Sequence, residues 1–134
     1  MLVYGTLLFI VLTSVAGLGI DGARWIMMRG NLQFAVAAGA AAGARELDGK
    51  AGAKKRAEDA ANAVAGANIS ALLSDGLTSG RVAKVTILKD VNPDVSSAAD
   101  DDAKYVRITG TATTLPIFPF TPVGEINVST SVVD

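Results

Sequence analysis

Residues 1–20, MLVYGTLLFIVLTSVAGLGI, carry no charge, and the helical pattern they begin runs on to about Asp48. A stretch of about 20 predominantly apolar residues is long enough to cross a bilayer as a helix. Beyond it the helix turns Ala/Gly-rich and takes up sparse charges at Asp21, Arg24, Arg29, Arg45 and Glu46. One end therefore suits lipid and the other a packed protein bundle. A single helix over residues 2–48 is roughly 70 Å long at 1.5 Å per residue, longer than any domain the remaining residues can build. It must protrude, and a protruding apolar stretch needs lipid or copies of itself.

Composition narrows the function. Half of the 134 residues are hydrophobic but only 5% are aromatic, so close helix packing is favoured over a large globular core. The net charge is −1, without the basic patch that nucleic-acid binding requires. The chain has no Cys and no His, which removes disulfides, thiolate chemistry and the commonest general base and metal ligand. No catalytic constellation, phosphate loop, cofactor site or metal site is expected. Asp100–Asp102, with Asp94 nearby, lacks the alternating acidic pattern and the glycine of a calcium loop, and reads as a solvated, mobile loop. Asn68-Ile-Ser70 and Asn127-Val-Ser129 match the N-glycosylation triplet.

Glycine costs about 1 kcal/mol against Ala inside a soluble helix, yet Gly5, Gly17, Gly19, Gly22, Gly30, Gly39 and Gly43 all fall in the first helix. Their spacing with alanine, notably Ala35/Gly39/Gly43, points to a helix–helix seam between subunits. Local unwinding near Gly17–Gly22 is a second reading. Asp21, at the edge of the apolar run, needs a partner. Arg24 at i+3 can supply one, as can Arg24 or Arg29 of a packed neighbour, which would set the axial register.

Past a break at Asp48–Gly49, a second amphipathic helix is expected from about Ala51 to Gly66, with an apolar stripe of Ala53, Ala57, Ala60, Ala61, Val64, Ala67 and Leu72. A face made mostly of alanine must lie close against its partner, the C-terminal part of the first helix or the sheet. After Leu77 the texture becomes β-branched. RVAKVTILKDV (81–91), KYVRITGTATTL (104–115) and EINVSTSVVD (125–134) alternate as strands. In the first, Val82, Lys84, Thr86 and Leu88 oppose Ala83, Val85 and Ile87. In the second, Tyr105, Arg107 and Thr109 oppose Val106 and Ile108. The Pro-rich connection LPIFPFTPVGE (115–125) carries apolar residues that something must cover. Strands in succession without helical punctuation imply an antiparallel sheet on the helices. The expected fold is α+β, with a helical part over 1–48 and a small head over 49–134.

A secretory signal peptide begins with a positive n-region, which Met1–Ile20 lacks. The nearest positive residues, Arg24 and Arg29, follow the apolar run, opposite to what the positive-inside rule requires of an exported head. A short basic leader removed before Met1 reconciles the two.

Gly17–Gly49, GLGIDGARWIMMRGNLQFAVAAGAAAGARELDG, resembles the N-terminal segment of the TadE/TadG-like proteins of the Tad (Flp) pilus system. Gly17, Asp21, Arg24, Trp25, Leu32, Gln33 and the run from Ala35 to Ala44 match that pattern in order and spacing. TATTLPIFPFTPVGEINVSTSVVD (111–134) resembles the family's closing strand, loop and strand. The chain departs from the pattern at Ala37 and Ala38, where the family usually has an Asp, and at Gly5, where many type IV pilin-like proteins carry a Glu. The resemblance implies a pilin-like subunit, inserted in the inner membrane and extracted by pilus assembly machinery into an extracellular homopolymer at the cell surface. Gly17, Asp21, Arg24, Arg29, Ala35, Gly39 and Gly43 are the candidate assembly residues. A minor pseudopilin or anchored accessory protein is the alternative. An anchored periplasmic enzyme is disfavoured by the missing His and Cys.

Overall fold

A computed structural model describes residues 2–74, 77–91, 94–115, 117 and 124–133, and for Ser74 and residues 124–133 only the course of the backbone. Of the Pro-rich connection, Pro116 and residues 118–123 lie outside the described residues, so the expected covering of Phe118 and Phe120 does too.

The first element, α1, is one unbroken helix over Leu2–Ala44. It runs through Gly17–Gly22 without unwinding. It stops at Ala44 rather than near Asp48, because the amides of Glu46 and Leu47 reach back to the carbonyls of Gly43 and Ala44 in tightened final turns (3.0 and 3.1 Å). Gly49 and Gly52 then supply the left-handed backbone (φ +69° and +80°) that reverses the chain.

Helix α2 covers Ala53–Ser74, well past the Gly66 expected to end it. Gly66 weakens the helix locally, but the buried face Ala53, Ala57, Ala61, Ala65, Ile69 continues through it at four-residue spacing. Ala67, expected on that face, is exposed.

Four strands follow: β1 (Ser79–Val91), β2 (Asp94–Ser96), β3 (Tyr105–Thr114) and β4 (Gly124–Val133). They form one antiparallel sheet in the order β2-β1-β3-β4. The three long strands fall where the alternation places them, and short β2 is an addition. In β3, Val106, Ile108, Gly110, Ala112 and Thr114 face inward. In β1 the expected faces are corrected. Val82 pairs with Gly110 and Lys84 with Thr109, so Ala83 is an extra residue in a bulge. That bulge shifts the phase and brings Val82 onto the core side with Val85 and Ile87.

The architecture is α+β: a layer of two helices on a small antiparallel sheet. Its core is Met28, Leu32 and Val36 of α1, Ile69 of α2, and Val106 and Ile108 of β3, filled in by alanines. The second half of α1 is thus built into the head, and the first half stands outside it.

Candidate functional site

Glycine and alanine decide which part of α1 is occupied within the chain. A Cβ at Gly39 would lie 2.6 Å from Ala65 Cβ and 2.8 Å from the Ala61 carbonyl oxygen. At Gly43 it would lie 2.8 Å from the Ala57 carbonyl oxygen and 3.0 Å from Ala61 Cβ. Ala35 is buried in the same core. The Ala35/Gly39/Gly43 seam therefore joins α1 to α2 of its own chain. This corrects its expected role as a contact between subunits, since a small-residue face shows that a helix approaches but not which helix.

Asp21 and Arg24 also turn toward their own chain. The Ile117 amide donates to Asp21 Oδ1 (3.0 Å), and Arg24 Nη1 donates to the Leu115 carbonyl (3.4 Å). Together they fasten the start of the β3–β4 connection to the helix. Arg29 is exposed and lies over the Trp25 ring, 5.7 Å from its centre. Gly17 is buried.

The acidic loop is a structural device rather than a mobile segment. Helix α2 begins after Gly52, which has no side chain to cap it. Asp100 does so from across the fold, accepting from the amides of Gly52 (2.8 Å) and Lys54 (3.1 Å). The Lys54 amide first, then that of Gly52, holds the Asp100 carboxyl below its ordinary value of 3.8. Asp102 accepts from Ser97 Oγ (2.5 Å) and the Ala99 amide (3.3 Å), and the Ser97 hydroxyl chiefly lowers its pKa. Lys54 Nζ donates to the Ser97 carbonyl (2.7 Å). Among the described residues no group of three His, Cys, Asp or Glu side chains converges as a metal site.

What remains uncovered is the first half of α1. Its most apolar 18-residue window is only 6% buried, and it is long and apolar enough to cross a membrane. Leu2, Phe9, Leu12, Val15 and Ile20 are all more than half exposed. The Thr and Ser hydroxyls in this stretch are satisfied within the helix: Thr6 donates to the Leu2 carbonyl (2.7 Å), Thr13 to Phe9 (2.9 Å) and Ser14 to Ile10 (2.8 Å). An apolar surrounding therefore strands none of those three hydroxyls.

The uncovered surface continues beyond a membrane's thickness. Phe9, Ala16, Ile20, Met27, Phe34 and Ala38 recur on one face of a helix of 3.6 residues per turn, and all are exposed. No charge interrupts that face. Met27 and Phe34 lie alongside the head, 56% and 78% exposed. They were not among the residues singled out from the sequence, although their seven-residue spacing from Ile20 is visible there. Compared with known proteins, the chain matches no family model, no curated protein and no solved structure.

Proposed function

We propose that this chain is a structural subunit of an extracellular, pilus-like filament, held in a membrane by the start of α1 before assembly and polymerised through that helix. The observation that carries the reading is the charge-free outward face of α1, which runs past the length a membrane covers. A bilayer's hydrocarbon core takes up about 20 helical residues. With residues 2–21 inside it, Met27 and Phe34 stand about 9 and 20 Å beyond at 1.5 Å per residue. A simple anchor has no use for bare apolar side chains there, each of which gains about 1.5–3 kcal/mol on burial. Packing against other copies covers the whole face.

Two further features support the reading. Gly5, Gly19, Gly22 and Gly30 have nothing within 4 Å of where a Cβ would sit, so no contact among the described residues accounts for them, whereas close approach of another helix does. The resemblance of residues 17–49 and 111–134 to TadE/TadG-like proteins, carried by the motif alone, points the same way. The head has a structural role in this reading, with no catalysis and no cofactor.

Shearing cells and comparing the sheared and membrane fractions with an antibody to the head tests the proposal. A filament subunit appears in the sheared fraction in sedimentable form. An accessory protein or plain anchor stays wholly with the membranes, which would overturn the proposal.

A further inference from the structure

Between α1 and α2 lies a groove of about 510 Å³, lined by Asn31, Phe34 and Ala38 on one side and Asn68, Ala71 and Leu72 on the other. None of these residues carries charge, and none comes from the sheet. Alanines make the groove shallow-walled, and Phe34 stands at its rim almost bare. It has the form that receives the apolar face of a helix.

We infer that this groove receives the bare N-terminal half of α1 from a second copy of the chain. The inference rests on the filament reading and adds a specific contact to it, stalk into head groove, beyond stalk against stalk. Geometry removes two occupants, and charge, exposure and stoichiometry favour the stalk of another copy. The chain's own residues 2–20 cannot reach the groove, because α1 is one unbroken helix and keeps residues 20 and 31 about 16 Å apart along its axis. Lipid does not reach it either. If residues 2–21 cross the hydrocarbon core, Asn31 begins about 15 Å beyond it. An uncharged occupant fits best, since the lining offers a buried charge no opposite charge, only the amides of Asn31 and Asn68. Residues 2–20 are uncharged, are bare, and are present once for every groove. Each copy then offers one stalk and one groove on different surfaces, so the contact is heterologous and propagates instead of closing as a dimer. With α1 helices parallel, a stalk centred near residue 11 against a groove centred near residue 35 sets neighbours about 36 Å apart along the axis.

The absence of cysteine makes paired cysteine substitution clean. Ala38→Cys is combined in the full-length chain with a single cysteine at successive positions from Leu7 to Val15, and cells are oxidised before shearing. Leu8→Cys alone reports stalk-to-stalk contact. Groove-to-stalk crosslinks should form a ladder of oligomers, with yields at least tenfold higher on one stalk face, recurring every three to four residues. Stalk-to-stalk crosslinks without groove-to-stalk ones would overturn the groove assignment and leave the filament standing. A groove that crosslinks only to another groove would also overturn it. Absence of every crosslink would sink the groove and the filament together. Ala38→Glu gives a second measure: Ala38 is exposed, so the head should melt as before while filament yield falls at least tenfold. Unchanged yield would contradict the groove.

Discussion

Gly39 is where a single atom changes the most. A Cβ there meets Ala65 Cβ at 2.6 Å, the Ala61 carbonyl oxygen at 2.8 Å and Ile108 Cδ1 at 3.0 Å, and two of those three belong to a backbone or a side chain too short to move aside. Gly39→Ala should lower the stability of the head by about 1–3 kcal/mol, the usual range for overpacking, read by thermal unfolding. Gly30→Ala, with open space at its Cβ, should be neutral or gain up to about 1 kcal/mol from helix propensity. Equal melting of the two variants would contradict the intrachain seam. A larger side chain at this position, as in Gly39→Leu, should likewise damage folding of the head itself. Asp100 gives a second residue-scale prediction. Its carboxyl, like those of Asp48 and Asp102, is held below its ordinary value of 3.8 by hydrogen bonds that favour the charged form. A depressed folded pKa stabilises at pH above the unfolded value and loses that contribution as pH falls through the folded one. Stability should therefore hold steady down to about pH 4 and decline below it. Asp100→Asn should flatten part of that decline and speed hydrogen exchange at the first amides of α2, and an unchanged acid profile would contradict the cap.

At the scale of elements, the bulge in β1 shows what alternation can and cannot say. β1 and β3 were legible as strands, and the alternation that sets Val106 and Ile108 apart from Tyr105, Arg107 and Thr109 holds in the fold. Only the phase of β1 before the bulge was misread, because an extra residue leaves no mark in composition. Val82 pairs with Gly110 and Lys84 with Thr109, so removing Ala83 leaves a regular ladder with Val82 and Val85 still facing inward. Deletion of Ala83 should leave the head folded, with little change in melting temperature. Deletion of Thr109, where no residue is extra, should turn half of β3 over and unfold the head. Unfolding by the Ala83 deletion would contradict the pairing. The length of α2 and the role of the acidic loop were missed for a related reason. Gly66 reads as a stop only until Ala65 and Ile69 are seen packed on both sides of it. Asp100 caps a helix start 46 residues away at Lys54, and no local pattern reports a partner so distant.

Across the whole molecule, the uncharged run of residues 1–20 and the break near residue 48 made the division into a stalk and a small α+β head legible. The point at which the stalk enters the head was not. Small residues at Ala35, Gly39 and Gly43 promise a close helix partner, which the sequence left open between another copy and the second helix of the same chain, and the fold makes it α2. The apolar surface left bare is the other face of α1, from Phe9 through Ile20 and Met27 to Phe34, and it is the one the proposed filament would use. Asp21 and Arg24, read from the sequence either as a pair within the helix or as charges that set register between copies, hold Ile117 and Leu115 of their own chain. In the proposed filament the stalks would lie at the axis and the sheets outward, with no charge along the contacting faces. Electron cryo-microscopy of the sheared surface fraction measures this directly. The expected result is a helical filament whose density places residues 2–27 of successive copies in contact around the axis, with Phe34 covered by a neighbour. A surface fraction without filaments, or a filament in which α1 faces outward and Phe34 remains bare, would contradict it.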